Sequence, residues 1–302
     1  MAYHAGRRQV VLFGGADEGA VRSDTWGWRA ADRRWHRLAV DGPSPRTFAA
    51  MAYDSARGQI ILFGGNRVLF GAGDEWQTVL GDTWVFDGER WQRRDAPGPA
   101  PRAEAAIAYD PRRDRIVLFG GYGRAADGRV RYGDTWEWDG REWRQVASDG
   151  PPPRNGGALA YDERRQVTAL SGGPPSLVDP QTWEWDGAAW RAAAGPPPSA
   201  RFNPVMTYHA GLGGLLRFGG WTGTARDSDT WVRDGGTWRQ LTRSGPAARN
   251  HAAMAYDTAR GVALLFGGHD GTAVFGDTWE FDGQDWRAVA STPPRRRVDN
   301  GH

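Results

Sequence analysis

The 302-residue chain contains no cysteine. Disulfides, thiolate nucleophiles and thiolate metal ligands are therefore excluded, although a missing thiol does not fix a compartment. Lysine is absent too: all 38 basic residues are arginine, a trait we ascribe to codon bias rather than to function. Against 36 acidic residues they leave a net charge of +2, too small for a strong positive field. No basic tract is long enough to propose nucleic acid, since Arg295-Arg296-Arg297 is only a short cluster. No apolar run reaches membrane-spanning length and no signal peptide is visible. Neither nucleic acid nor membrane is expected as a partner. The compartment stays open: cytoplasmic if Met1 is the native start, exported if a signal peptide has been removed.

Glycine and tryptophan are abundant instead, and both are periodic. A unit of about 50 residues recurs six times. It carries an apolar strand ending in Gly-Gly, a variable stretch, Thr-Trp, and a lone Trp after a turn. The double glycines are Gly14-Gly15, Gly64-Gly65, Gly120-Gly121, Gly172-Gly173, Gly219-Gly220 and Gly267-Gly268. Phe precedes five of them and Ser171 the fourth. In the second unit, Ala49 to Tyr53 reads as one strand and Gln59 to Phe63 as a buried one; Thr83 to Phe86 and Trp91 to Arg93 follow, with Asp87-Gly88 as a hairpin signal. The proline-rich link Pro97 to Arg102 leads to the next unit.

A four-stranded antiparallel sheet repeated six times around an axis is a β-propeller. Length alone would allow two domains, but the repeat argues for one, with units 1–46, 47–102, 103–154, 155–201, 202–249 and 250–295. These residues resemble the kelch-repeat family over about residues 1–295: double glycine after the second strand, an aromatic in the third, Trp in the fourth. The Pro-x-Arg…Ala-Tyr-Asp and Asp-Thr-Trp variants look like bacterial kelch proteins of the galactose-oxidase-like superfamily. The resemblance implies an all-β, six-bladed propeller whose ring is closed by the two termini, with 296–302 completing blade one beside Met1-Ala2-Tyr3-His4.

Of the 17 tryptophans, 15 follow the periodicity and are expected between blades; only Trp76 and Trp221 fall outside it. Arg46, Arg102, Arg154, Arg201, Arg249 and Arg295 end the links and would ring one face. An anion-binding mouth is the tempting reading; pairing with Asp24, Asp82, Asp134, Asp229 and Asp277 between neighbouring links is favoured. The fourth unit has Gln181 at that Asp position.

Function is sought where the units differ. The second residue after the link Arg is Phe48, Glu104, Gly156, Asn203 or His251, with Arg297 in the first unit by the closure scheme. The residue after Gly-Gly is Ala16, Asn66, Tyr122, Pro174, Trp221 or His269. Both sets should line one funnel, so Phe48, Asn66, Glu104, Tyr122, Asn203, Trp221, His251 and His269 are the expected ligand surface. His251 and His269 should lie close on adjacent strands, and with Asp270 they could hold a divalent metal, although no cofactor is the first expectation. Glu104 lies across the funnel from His251, making that pair the candidate acid and base. Two units carry longer loops. Asn66 to Gly81 includes Phe70 and Trp76, expected to form a lid or a partner-docking loop. Tyr122 to Gly133 is polar, with Arg124, Asp127, Arg129 and Arg131.

Several enzyme classes fail. Galactose oxidase needs a Cys–Tyr copper site, which a cysteine-free chain excludes. The iron pattern of plant specifier proteins, Glu-x3-Asp-x3-His, is missing, as are the sialidase Glu–Tyr pair, a Ser-His-Asp set and a phosphate-binding glycine loop. Kelch-type sialic acid epimerases have no simple motif and stay open. The first reading is a monomeric binding module presenting an asymmetric funnel face to a protein partner or small polar ligand. The alternative is an enzyme acting on a small metabolite or sugar, epimerase-, lyase- or cyclase-like, at the same funnel.

Overall fold

Each unit folds as a four-stranded meander because its apolar alternation is interrupted at fixed points by turn chemistry. In blade two, Ala50–Asp54, Gln59–Phe63, Thr83–Phe86 and Trp91–Arg94 pair antiparallel in sequence order. Leu62 stands opposite both Met51 and Trp84, and Phe86 opposite Trp91. Asp54 closes the first turn by accepting from the Arg57 N–H at 3.0 Å; Asp87 closes the last by accepting from Glu89 and Arg90 at 2.9 Å each. Six such sheets make a six-bladed, all-β propeller. The computed structural model describes residues 1–302 except 18, 39, 69–74, 175–179, 197, 242–243 and 290–302. Among the described residues helix is confined to three short 3-10 turns, Ala5–Arg7, Glu75–Gln77 and Ala210–Leu212, and no helix is long and apolar enough to cross a membrane.

The inner strands are Ala2–His4, Ala50–Asp54, Ala106–Asp110, Gly157–Asp162, Val205–His209 and Ala253–Asp257. Each touches the next around the axis, and the first touches the last. The same hydrogen bond ties every seam. Trp91, Trp143, Trp190, Trp238 and Trp286 each donate Nε1–H to the hydroxyl of the Thr that starts the third strand of the preceding blade, or in blade four directly precedes it, at 2.8–3.0 Å. Trp35 does so to Thr278 at 3.0 Å, closing blade one on blade six. The ring therefore closes through the first and last blades; the expected contribution of 296–302 lies outside the described residues.

The link arginines are staples. Arg46, Arg102 and Arg249 are almost fully buried, and each forks onto one carboxylate: Asp82 at 2.7 and 2.9 Å, Asp134 at 2.6 and 2.9 Å, Asp277 at 2.6 and 2.9 Å. Arg201 donates to Asp227 and Asp229. The pairing runs within a blade, between its incoming link and its third strand, and not between neighbouring links as the sequence suggested. The contact to the preceding blade is made by the arginine's carbonyl, which accepts from the second glycine: Gly15 to Arg46 and Gly65 to Arg102, both 2.9 Å. A Cβ on the first glycine would meet that carbonyl at 2.4 Å in Gly64 and 2.6 Å in Gly14, so the Gly-Gly pair is a condition of blade contact. These guanidinium groups are already occupied and form no open anion mouth.

Candidate functional site

The residue two past each link arginine adopts an unusual backbone. Phe48, Glu104, Asn203 and His251 have φ between 51° and 55°, and Gly156 has 65°. This left-handed step turns each N–H toward the preceding blade. Glu104 N–H donates to Phe48 O (3.1 Å), Gly156 to Glu104 (3.2 Å), Asn203 to Gly156 (2.8 Å) and His251 to Asn203 (3.3 Å). The result is a floor of backbone hydrogen bonds across the axis, with the side chains of these residues gathered around it. These residues and the ones that follow them bound a cavity of about 120 Å³, with Phe48, Glu104, Asn203 and His251 in its wall.

The polar side chains form one connected group. Glu104 and His251 are buried, with the carboxylate Oε1 3.6 Å from His251 Nε2 and 3.4 Å from Asn203 Nδ2. Asn203 also touches His251 Nε2. His251 Nδ1 lies 3.1 Å from His269 Nε2, the rings stacked at 18°. The Gly271 N–H donates to His269 Nδ1 at 3.2 Å, which places the hydrogen of a neutral His269 on Nε2. That hydrogen goes to His251 Nδ1, and the Nε2 of His251 faces the Glu104 carboxylate and the Asn203 amide. On the far side, Asn155 donates to Glu104 Oε2 and accepts from Arg131 Nε at 2.8 Å. Donors thus reach a buried carboxylate from two directions.

The other expected funnel residues sit beside this group. Asn66 and Tyr122 are buried, each paired through its backbone with the residue after a link arginine (Thr47 and Ala103). Asn66 donates to the Tyr122 hydroxyl at 3.1 Å. Phe48, Ala103 and Tyr122 form a small apolar cluster with Trp76 and Val79 against it. The blade-two insertion therefore docks on blade three at Trp76, while Phe70 lies outside the described residues. Trp221 is half-buried under the Arg226 guanidinium, 4.6 Å from its ring centre. Asp270 does not join the two histidines: its carboxylate accepts from the Thr272 and Ala273 N–H groups and the Thr272 hydroxyl, which hold it down to about 2. Among the described residues no three His, Asp or Glu side chains are grouped to hold a metal.

Two features were missed by the sequence reading. The polar insertion of blade three is a hairpin, Tyr122–Ala125 paired with Gly128–Arg131, with Asp127-Gly128 as its overlooked turn signal. It delivers Arg131 to Asn155, a residue with no sequence signal beyond its place next to Gly156.

Comparison with known proteins agrees with this architecture. The family model for the KLHDC2/KLHL20/DRC7 kelch-repeats domain matches residues 2–174, more than half of the chain. The Chlamydomonas reinhardtii flagellar outer arm dynein alpha chain is 29% identical over 48% of this chain and 3% of its own length. The Arabidopsis thaliana F-box/kelch-repeat protein At1g51550 is 29% identical over 54% of this chain and 36% of its own. Kelch domain-containing protein 10 of Xenopus tropicalis is 26% identical over 50% and 36%. The chain thus spans little more than a third of these relatives at most. They are eukaryotic and lend no support to the bacterial, galactose-oxidase-like placement. Repeat, fold and family model together make this chain a member of the kelch-repeat family.

Proposed function

We propose that the chain is an interaction module whose funnel face receives a hydrogen-bond-donating group of a protein partner or small polar ligand. Kelch propellers generally serve protein interactions, and the observation that carries the reading is the buried Glu104 carboxylate in the wall of a small cavity. A buried carboxylate that already accepts from Asn155 has lone pairs to spare for a donor from outside. The blade-three hairpin and the docked Trp76 segment raise one side of the face, which gives an approaching surface a single orientation. The test is partner capture with Glu104→Gln and His251→Ala variants whose melting curves match the parent. Loss of the captured partner is expected; an unchanged partner set overturns the reading.

The enzyme reading has one observation in its favour, the carboxylate–imidazole approach of Glu104 and His251 across the axis. In it the His269–His251 pair would pass a proton to or from substrate and Glu104 would act as base. Native mass spectrometry of protein purified without added ligand separates the readings. A retained small mass lost from the His251/His269 double variant favours catalysis; a clean chain mass favours the interaction module.

A further inference from the structure

The inner strands end at the other face, and there the axis opens into a second cavity of about 400 Å³. Two registers of the strands build its wall. Tyr3, Tyr53, Tyr109, Tyr161, Tyr208 and Tyr256, one per blade, ring the mouth. Two residues earlier on each strand, and hence on the same face, stand Met1, Met51, Ile107, Leu159, Met206 and Met254, which include every methionine of the chain. Burial pushes Tyr3 up to about 12, with Asp257 beside it, and raises Tyr109, Tyr161 and Tyr208 as well, so these four phenols are neutral. The wall is therefore aromatic and thioether surface, with ring faces that attract cations.

Charge enters this mouth at one blade. Glu163 is the charged residue lining the cavity, and it has no ion-pair partner among the described residues. Its neighbour Asp162, buried behind the wall, differs from the other turn acids. In blades two, three and six the turn Asp is paired with the Arg three residues on, Asp54–Arg57 at 2.8 Å and Asp110–Arg113 and Asp257–Arg260 at 2.7 Å. In blade four Arg165 instead gives both Nε and a terminal nitrogen to Glu184, at 3.0 Å each. Among the described residues the Asp162 carboxylate accepts from the Arg164 and Arg165 backbone N–H groups, with the Arg233 and Arg165 charges acting on it from farther off. Blades one and five have His4 and His209 there, both held neutral by burial. The mouth thus carries one carboxylate, Glu163, with no paired cation among the described residues, and uncharged side chains around the rest of its wall.

We propose that this mouth binds an organic cation with an apolar body, its charge beside Glu163 and its body against the tyrosine and methionine wall. It is separate from the funnel face and does not depend on the function proposed for that face. The methionines supply the probe: in protein labelled with methyl-13C-methionine, the Met51, Met206 and Met254 signals report on the cavity. Titration with benzyltrimethylammonium should shift them saturably. Benzyl alcohol, of similar body but uncharged, should bind about tenfold more weakly or less, and Glu163→Gln should weaken the cation by about tenfold. Equal binding of the two probes, no saturable shift, or an unchanged affinity in Glu163→Gln overturns the proposal. Glu163 is exposed, so the variant should melt like the parent; if it does not, the two-probe comparison in the unaltered protein still decides.

Discussion

Five of the six blade seams pack a second-strand Phe against the fourth-strand Trp of the next blade, with ring centres 5.3–5.5 Å apart: Phe13–Trp91, Phe63–Trp143, Phe119–Trp190, Phe218–Trp286 and Phe266–Trp35. The seam between blades four and five differs. Ser171 replaces the Phe, and Arg217 of blade five, at the position where blade two has Leu62, donates to the Ser171 hydroxyl at 3.1 Å and lies 5.4 Å from the Trp238 ring centre. Yet Trp238 still donates to Thr182 at 2.9 Å, as its counterparts do at the other seams. The hydrogen-bonded tie and the filling of a seam are therefore separable: one is constant, the other is solved twice. The polar solution is the costly one, because burial pushes the Arg217 guanidinium down to about 9 against the opposing pull of Asp229.

The largest break of this comparison is Arg217→Ala. It empties the seam and strands the Ser171 hydroxyl, and should cost about 3–5 kcal/mol in chemical denaturation. The Ser171→Phe/Arg217→Leu double variant rebuilds the common seam and should return to within about 1 kcal/mol of the parent or exceed it. If the double variant is no better than Arg217→Ala, the two residues are not a compensating pair.

A smaller effect tests the constant part. Thr83→Val at an ordinary seam and Thr182→Val at the exceptional one each leave a buried indole N–H without an acceptor, at about 1–3 kcal/mol. Equal costs in thermal melts support a tie independent of the filling; a much larger cost at Thr182 would show the two to be coupled.

The smallest effect is a pH dependence. Burial disfavours ionisation of Asp82, Asp134 and Asp277, but the arginine fork and the Trp Nε1–H of each blade outweigh it and hold the carboxyls below the usual value. A carboxyl depressed in the folded state stabilises above its unfolded pKa, near 4, and that stability is lost as pH falls through the lower folded value. Melting temperature should hold down to about pH 4 and then drop, and Asp82→Asn should flatten part of the drop. Blade four, with Gln181, has no such Asp to titrate.

Much of this was legible in sequence because it repeats. Six copies of Gly-Gly, Thr-Trp and Trp mark strands and seams, and even Ser171 stood out as a break. What escaped was of two kinds. Arg217 hides in an apolar strand, and only its contact explains Ser171. The tyrosine mouth escaped because it repeats: Ala-Tyr-Asp read as framework, although Met-Ala-Tyr alternation on an innermost strand sends Met and Tyr to the axis. Variability drew attention to positions two past the link arginines, and His251 and His269 do lie together. That the position two past the link arginine is left-handed was signalled only by Asn203 and Gly156, the residue types that tolerate it most easily.

The floor under the funnel has a bearing on how such a face can change. Its bonds are made by peptide groups alone, so what each blade contributes above it works like an interchangeable socket. A blade can trade glutamate for histidine or phenylalanine without rewiring the support, provided the newcomer accepts a left-handed backbone. The face can thus be altered one blade at a time on an unaltered chassis.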